Sequence, residues 1–148
     1  IRNIIENVLL LFEYEIKKSN IELQFSAPDS LPPLFVDDVQ IQQILVNLVK
    51  NSLDALDGAG KENGVINIQV NVVEEEVVVS VSDNGPGVSA GDREKLFEAF
   101  FTTKPKGVGL GLSICRSIAT AHGGTLRYSE PENGGSCFTL LLPLELIG

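Results

Sequence analysis

Two runs of alternating apolar and polar residues, Val65 to Val73 and Val77 to Ser82, are joined by only Glu74 to Glu76. Successive side chains of a strand point to opposite faces, so each run carries one apolar, mostly β-branched face. So short a connection makes the pair an antiparallel hairpin. A doubly wound parallel sheet, in which every strand is followed by a crossover helix, does not fit.

The flanking pattern completes the outline. Ile1, Ile4, Ile5, Val8, Leu9 and Phe12 recur at helical spacing, predicting a helix over 1–18. Ile21 to Phe25 alternates like a strand, and Pro28 to Pro33 is a turn-rich connector. Asp37 can cap a long helix that runs to Leu56. After the hairpin, Asp83-Asn84-Gly85-Pro86-Gly87 breaks the chain, and a short helix is expected over Arg93 to Phe97. Thr102 to Gly109 reads as loop, Leu110 to Ala121 as helix, and Gly123-Gly124 as its stop. Thr125 to Ser129 and Ser136 to Leu142 close the chain as strands around a turn at Pro131 to Gly135. The order predicts an α/β (α+β) two-layer sandwich with a mixed, mostly antiparallel sheet and helices on one face.

At 148 residues, 43% hydrophobic and 21% charged, the chain is sized and composed as a single globular domain over 1–148. No apolar run reaches the roughly 20 residues of a membrane span, and no signal peptide is expected. The net charge of −9 argues against nucleic acid, whose binding rests on neutralising phosphates. It also means that any phosphate site must act locally, through backbone N–H groups, a lysine or a metal ion. Cys115 and Cys137 lack metal-site spacing and are expected to be buried, reduced thiols.

On the long helix, Ile44, Leu45, Leu48, Val49, Ser52, Leu53 and Leu56 share one face; Gln43, Asn47, Lys50, Asn51 and Asp54 share the other. A solvated polar face is the simplest reading. Asparagine, however, is a poor helix former because its amide competes for backbone hydrogen bonds. Two aligned asparagines in mid-helix therefore cost stability that Glu or Lys would not. An amide oxygen is a hard, neutral donor suited to Mg²⁺, and Lys50 can meet a phosphate oxygen.

Two glycine motifs follow. Asp83-Asn84-Gly85-Pro86-Gly87 leaves a strand and is turn chemistry throughout. Its glycines also let a ligand approach the backbone, and Asp83 can accept a hydrogen bond from a donor such as the adenine amino group. Gly107-Val108-Gly109-Leu110-Gly111-Leu112-Ser113 leads into a helix, whose free N–H groups and dipole attract anions. It is not the dinucleotide fingerprint, because it follows a loop and its third glycine is misplaced. A flexible linker reads equally well there. Phe97, Phe100 and Phe101 are packing residues, and Lys104 stands within reach of a terminal phosphate.

The order of these motifs says more than any one. Asn47 to Ser52, Asp83 to Gly87, Phe97 to Lys104 and Gly107 to Ser113 resemble the N, G1, F and G2 boxes of bacterial two-component sensor histidine kinases. Ala121 to Gly124 and Gly135 to Thr139 look like the closing segments. The short Phe100 to Lys104 loop resembles the nitrogen-regulation, oxygen-sensing and dicarboxylate-sensing branch.

The resemblance implies the Bergerat ATP-binding fold shared with gyrase, Hsp90 and MutL ATPases, with ATP and Mg²⁺ as ligands. It implies that Asn51 coordinates Mg²⁺ and that Asn47, Lys50 and Asp54 line the phosphate side. It implies that Asp83 binds the adenine amino group, with Thr139 assisting through water, and that Gly85 and Gly87 pass close to the base. Thr103, Lys104, Gly107, Val108, Gly109, Leu110, Gly111 and Leu112 would form the phosphate-cradling lid. Asn47, Lys50 and Lys104 are the expected catalytic residues. The hydrolysing relatives carry a general-base glutamate where this chain has Asn47, and an amide cannot take a proton at neutral pH. The expectation is transfer to a histidine with little hydrolysis.

His122, the one histidine, is read as a helix-end residue favoured by the dipole. The phosphoacceptor histidine is therefore expected on a separate dimerisation domain, absent here, with a response regulator as indirect partner. A monomeric fragment of a dimeric, cytoplasmically active kinase is expected. Alternatives are an anti-sigma-type serine kinase, a degenerate nucleotide-binding regulator, and a plain interaction domain.

Overall fold

The structure is a computed structural model and describes residues 1–58, 60, 63–98, 111–132 and 134–144. Its elements in chain order are α1 (Arg2–Leu11), α2 (Glu13–Lys18), β1 (Glu22–Ser26), α3 (Asp38–Gly58), β2 (Val65–Val73), β3 (Glu76–Asp83), α4 (Ala90–Arg93), α5 (Gly111–Ala121), β4 (Thr125–Ser129) and β5 (Ser136–Pro143).

The expected hairpin is the centre of the molecule. β2 and β3 pair antiparallel from Ile66 opposite Asp83 to Val73 opposite Glu76. The turn is tighter than the three glutamates suggest: Glu76 already belongs to β3, and Glu74 takes a positive φ of 55°. The five-stranded sheet runs β1-β2-β3-β5-β4. Only β1 and β2 pair parallel. Parallel neighbours need a crossover, and α3 is that crossover.

One face of the sheet is apolar in every long strand. Ile66, Ile68 and Val70 of β2, Val77, Val79 and Val81 of β3, and Phe138, Leu140 and Leu142 of β5 are all buried. They meet Ile4, Ile5 and Val8 of α1, Ile41, Ile44, Leu45, Leu48, Val49, Leu53 and Leu56 of α3, and Cys115, Ile118 and Ala119 of α5 in one core. The Asp37 cap forms as expected, its Oδ1 accepting the N–H groups of Val39 at 3.0 Å and Gln40 at 3.2 Å.

Three local expectations shift. The first helix is interrupted at Phe12, whose N–H bonds Leu9 at 3.3 Å in a tightened turn. That break re-aims the chain so that Ile16 is buried while Tyr14 is 72% exposed. The short helix begins earlier, at Ala90, because Ser89 accepts the N–H groups of Asp92 and Arg93. Cys115 is buried, but Cys137 is only half-buried, since it faces away from the core.

Candidate functional site

The polar flank of α3 forms one wall. Asn47 sits half-buried and spends its Nδ2 on the carbonyl of Gln43 at 3.0 Å. Its Oδ1 faces the start of α5: a Cβ placed on Gly111 would lie 3.4 Å from that oxygen. Lys50, on the same flank, is exposed, while Asn51 and Asp54 are half-buried. Further along, Ala55 lies against Gly85, and Ser52 bonds Asp83. With a rise of about 1.5 Å per residue, the stretch from Asn47 to Ala55 spans roughly 12 Å. One helix flank therefore touches both glycine motifs.

Asp83 ends β3 and is only 7% exposed. Its Oδ1 accepts the Gly85 N–H at 2.9 Å. The Ser52 hydroxyl and the backbone N–H of Ser136 also reach the carboxylate. Burial nevertheless raises its pKa above the ordinary carboxylate value; the three hydrogen bonds lower it and are outweighed. A carboxylate has about four acceptor positions, so a further donor fits the chemistry of this group.

The backbone around Asp83 is braced from both sides. Asn84 accepts the Val65 N–H at 2.7 Å and donates to the Asn63 carbonyl at 2.9 Å. On the other side Gly135, at φ +94°, packs so tightly that any Cβ would overlap the Asp83 carbonyl oxygen. Gly87, at φ +77°, would place a Cβ 2.8 Å from the Gly135 carbonyl oxygen. Glycine is required at both by angle and by space.

One expected site residue is misplaced. Thr139 pairs with Ser80 and its Oγ1 lies 3.5 Å from the Ser80 hydroxyl. Strand side chains alternate, and Asp83 and Ser136 occupy the buried face while Ser80 and Thr139 occupy the other. Thr139 therefore cannot assist Asp83. The residue in that position is Ser136, paired with Asp83 across β3 and β5. Ser52 and Gly135, which also hold Asp83, were not among the expected site residues. A lone serine within the apolar face of α3 was the available signal for Ser52.

Thr103, Lys104, Gly107, Val108, Gly109 and Leu110 lie outside the described residues. Gly111 and Leu112 open α5 beside Asn47. Among the described residues no cluster of His, Cys, Asp and Glu could hold a metal ion by itself.

The family described as "Histidine kinase-, DNA gyrase B-, and HSP90-like ATPase" matches residues 36–146. The chain is 34% identical over 146 residues to the sensor histidine kinase ZraS of Escherichia coli, covering 99% of this chain and 30% of ZraS. It is 39% identical over 127 residues to the sensor protein FixL of Bradyrhizobium diazoefficiens, covering 86% of this chain and 25% of FixL. It thus spans less than a third of these curated relatives. The nucleotide-free catalytic domain of histidine kinase ThkA superposes with a TM-score of 0.86 at 39% identity, covering 97% of this chain and 91% of that one. ThkA has also been solved in complex with the response regulator protein TrrA; there the TM-score is 0.81 at 36% identity, over 98% of this chain and 40% of that one.

Proposed function

The chain belongs to the histidine kinase-, DNA gyrase B- and HSP90-like ATPase family, and from that premise we propose that it binds Mg-ATP and transfers the γ-phosphoryl group to a histidine on a separate dimerisation domain of the same sensor kinase. The observation that carries this reading is the arrangement along α3. Asn47 faces Gly111 at one end, and Ser52 holds Asp83 at the other. Base recognition would fall at Asp83 and phosphate binding at the glycine-rich entry to α5.

Each residue then has a defined task. Asp83 accepts the adenine amino group, and Gly85 and Gly87 keep the backbone low enough for the base to approach. Lys50 and Asp54 line the phosphate side with Asn47. Asn51 would offer an amide oxygen, a hard neutral donor, to Mg²⁺. When bound, the ion neutralises phosphate charge, which a domain of net charge −9 needs. Lys104, in the proposed lid with Thr103 and Gly107 to Leu112, meets the γ-phosphate.

In the transfer, a nitrogen–phosphorus bond forms on the incoming imidazole as the bond to the β-phosphate oxygen breaks. ADP leaves with that electron pair. Asn47 supplies no base for water, so the reading favours transfer over hydrolysis. A response regulator would take the phosphoryl group onward, in keeping with the ThkA–TrrA complex. A dimer through the dimerisation domain and a cytoplasmic setting belong to the same proposal.

Fluorescent ATP titration with and without Mg²⁺, together with an ATPase assay, tests this reading. It predicts metal-strengthened binding and slow hydrolysis. Metal-independent or absent binding would favour a degenerate regulatory module, and rapid turnover would remove the distinction drawn from Asn47.

A further inference from the structure

Val88 directly follows Gly87, and both of its backbone polar groups are held by side chains from elsewhere. Its N–H donates to the Tyr128 hydroxyl at 3.1 Å, and its carbonyl accepts Arg93 Nε at 3.1 Å. Arg93 also pairs with Glu130 and lies over the Tyr128 ring, 5.8 Å from its centroid. The ring is fixed edge-on against Phe138, with centroids 5.2 Å apart.

The Tyr128 hydroxyl has a second partner. It lies 3.4 Å from the Ser136 Oγ, a pair in which either hydroxyl can donate. Ser136 is the residue whose backbone N–H reaches the Asp83 carboxylate. Tyr128 thus ties the two ends of segment 83–88 together: the Asp83 end through Ser136 and the Gly87 end through Val88.

We propose that Tyr128 is a positioning residue for base selection, holding segment 83–88 so that Asp83 meets a 6-aminopurine and discriminates against a 6-oxopurine. This rests on the reading of Asp83 as the acceptor for the adenine amino group. A donor–acceptor contact loses strength quickly as its geometry loosens. A looser segment therefore weakens the nucleotide that uses the contact more than one that does not.

The test is a pair of affinities, for Mg-ATP and Mg-ITP, in the wild-type chain, in Tyr128→Phe, in Ser136→Ala and in the double variant. Tyr128→Phe is expected to weaken ATP about tenfold, the size of one well-placed hydrogen bond, and ITP far less, so the preference narrows. Ser136→Ala should narrow it in the same sense, and the double variant should add less than the sum, since the two hydroxyls act in one chain. A purely structural role would weaken both nucleotides by one factor and leave the ratio intact, which overturns the proposal. If the wild type shows no preference for ATP over ITP, the reading of Asp83 itself fails and this proposal fails with it.

Discussion

The Nε2 atom of His122 accepts the backbone N–H of Asp37 at 3.1 Å, joining the turn after α5 to the cap of α3. Its Nδ1 lies 2.9 Å from the Ile118 carbonyl. With Nε2 accepting and Nδ1 against a carbonyl, the ring is a strut between the end of α5 and the start of α3. Both ring nitrogens are engaged within the fold. His122→Ala should lower unfolding free energy by about 1 kcal/mol, the net worth of partly exposed hydrogen bonds. Urea denaturation measures it; an unchanged midpoint would show that the strut carries nothing.

Gly135 offers a sharper steric test. Gly135→Ala forces a side chain into the Asp83 carbonyl at a φ of +94°. The expected cost is about 2 kcal/mol or more, with weakened ATP binding in any protein that still folds. Gly91→Ala is the control, because a Cβ there meets open space in α4. Thermal melts of the two variants should separate by several degrees; equal melts would contradict the close approach.

Asp83 ties stability to pH. Burial raises its pKa in the fold, so the folded chain holds that proton more tightly than the unfolded chain. Its stabilising contribution is fully present below the unfolded carboxylate pKa and is lost as pH rises through the folded value. Above that folded value the domain carries the cost of an ionised, buried carboxylate. Asp83→Asn removes this titration. Its melting temperature should gain on the wild type as pH rises from about 4 to 7, while its stabilisation by ATP should largely disappear. Parallel melting curves across that range would contradict the assignment.

The two thiols should differ in reactivity. Burial pushes Cys115 up to about 11, and it is fully enclosed. Thiolate is the reactive species, so Cys115 should label on the order of 100-fold more slowly than an ordinary thiol. Cys137 is partly accessible. A thiol-reactive dye should therefore modify one cysteine per native chain quickly and both after denaturation. Two fast sites in the native chain would contradict the packing of α5.

Much of this was legible in the chain itself, for definite physical reasons. The period-two alternation from Val65 to Ser82 dictates the hairpin, and the apolar stripe from Ile44 to Leu56 dictates which side of α3 is buried. The burial of Asp83 was not legible from its own motif, which is turn chemistry throughout; it follows from the alternation of β3, which puts Asp83 on the face of Val79 and Val81. Thr139 failed because proximity in sequence to the closing glycines hid the alternation that turns it to the opposite face. The packing of Gly135 on Asp83 and the role of Tyr128 were not legible, for a related reason. Each acts through a tertiary contact with segment 83–88; Tyr128 and Val88 lie 40 residues apart in the chain. No local pattern encodes such a contact.

The proposed reaction is phosphoryl transfer to a histidine outside this domain. The direct measurement is to incubate the domain with γ-labelled ATP, Mg²⁺ and the proposed histidine-bearing dimerisation domain. The label should appear on that partner as an acid-labile, alkali-stable phosphohistidine, with none on the catalytic domain and little free phosphate. Label released as inorganic phosphate with the partner unmodified, or label retained on this chain, would contradict it.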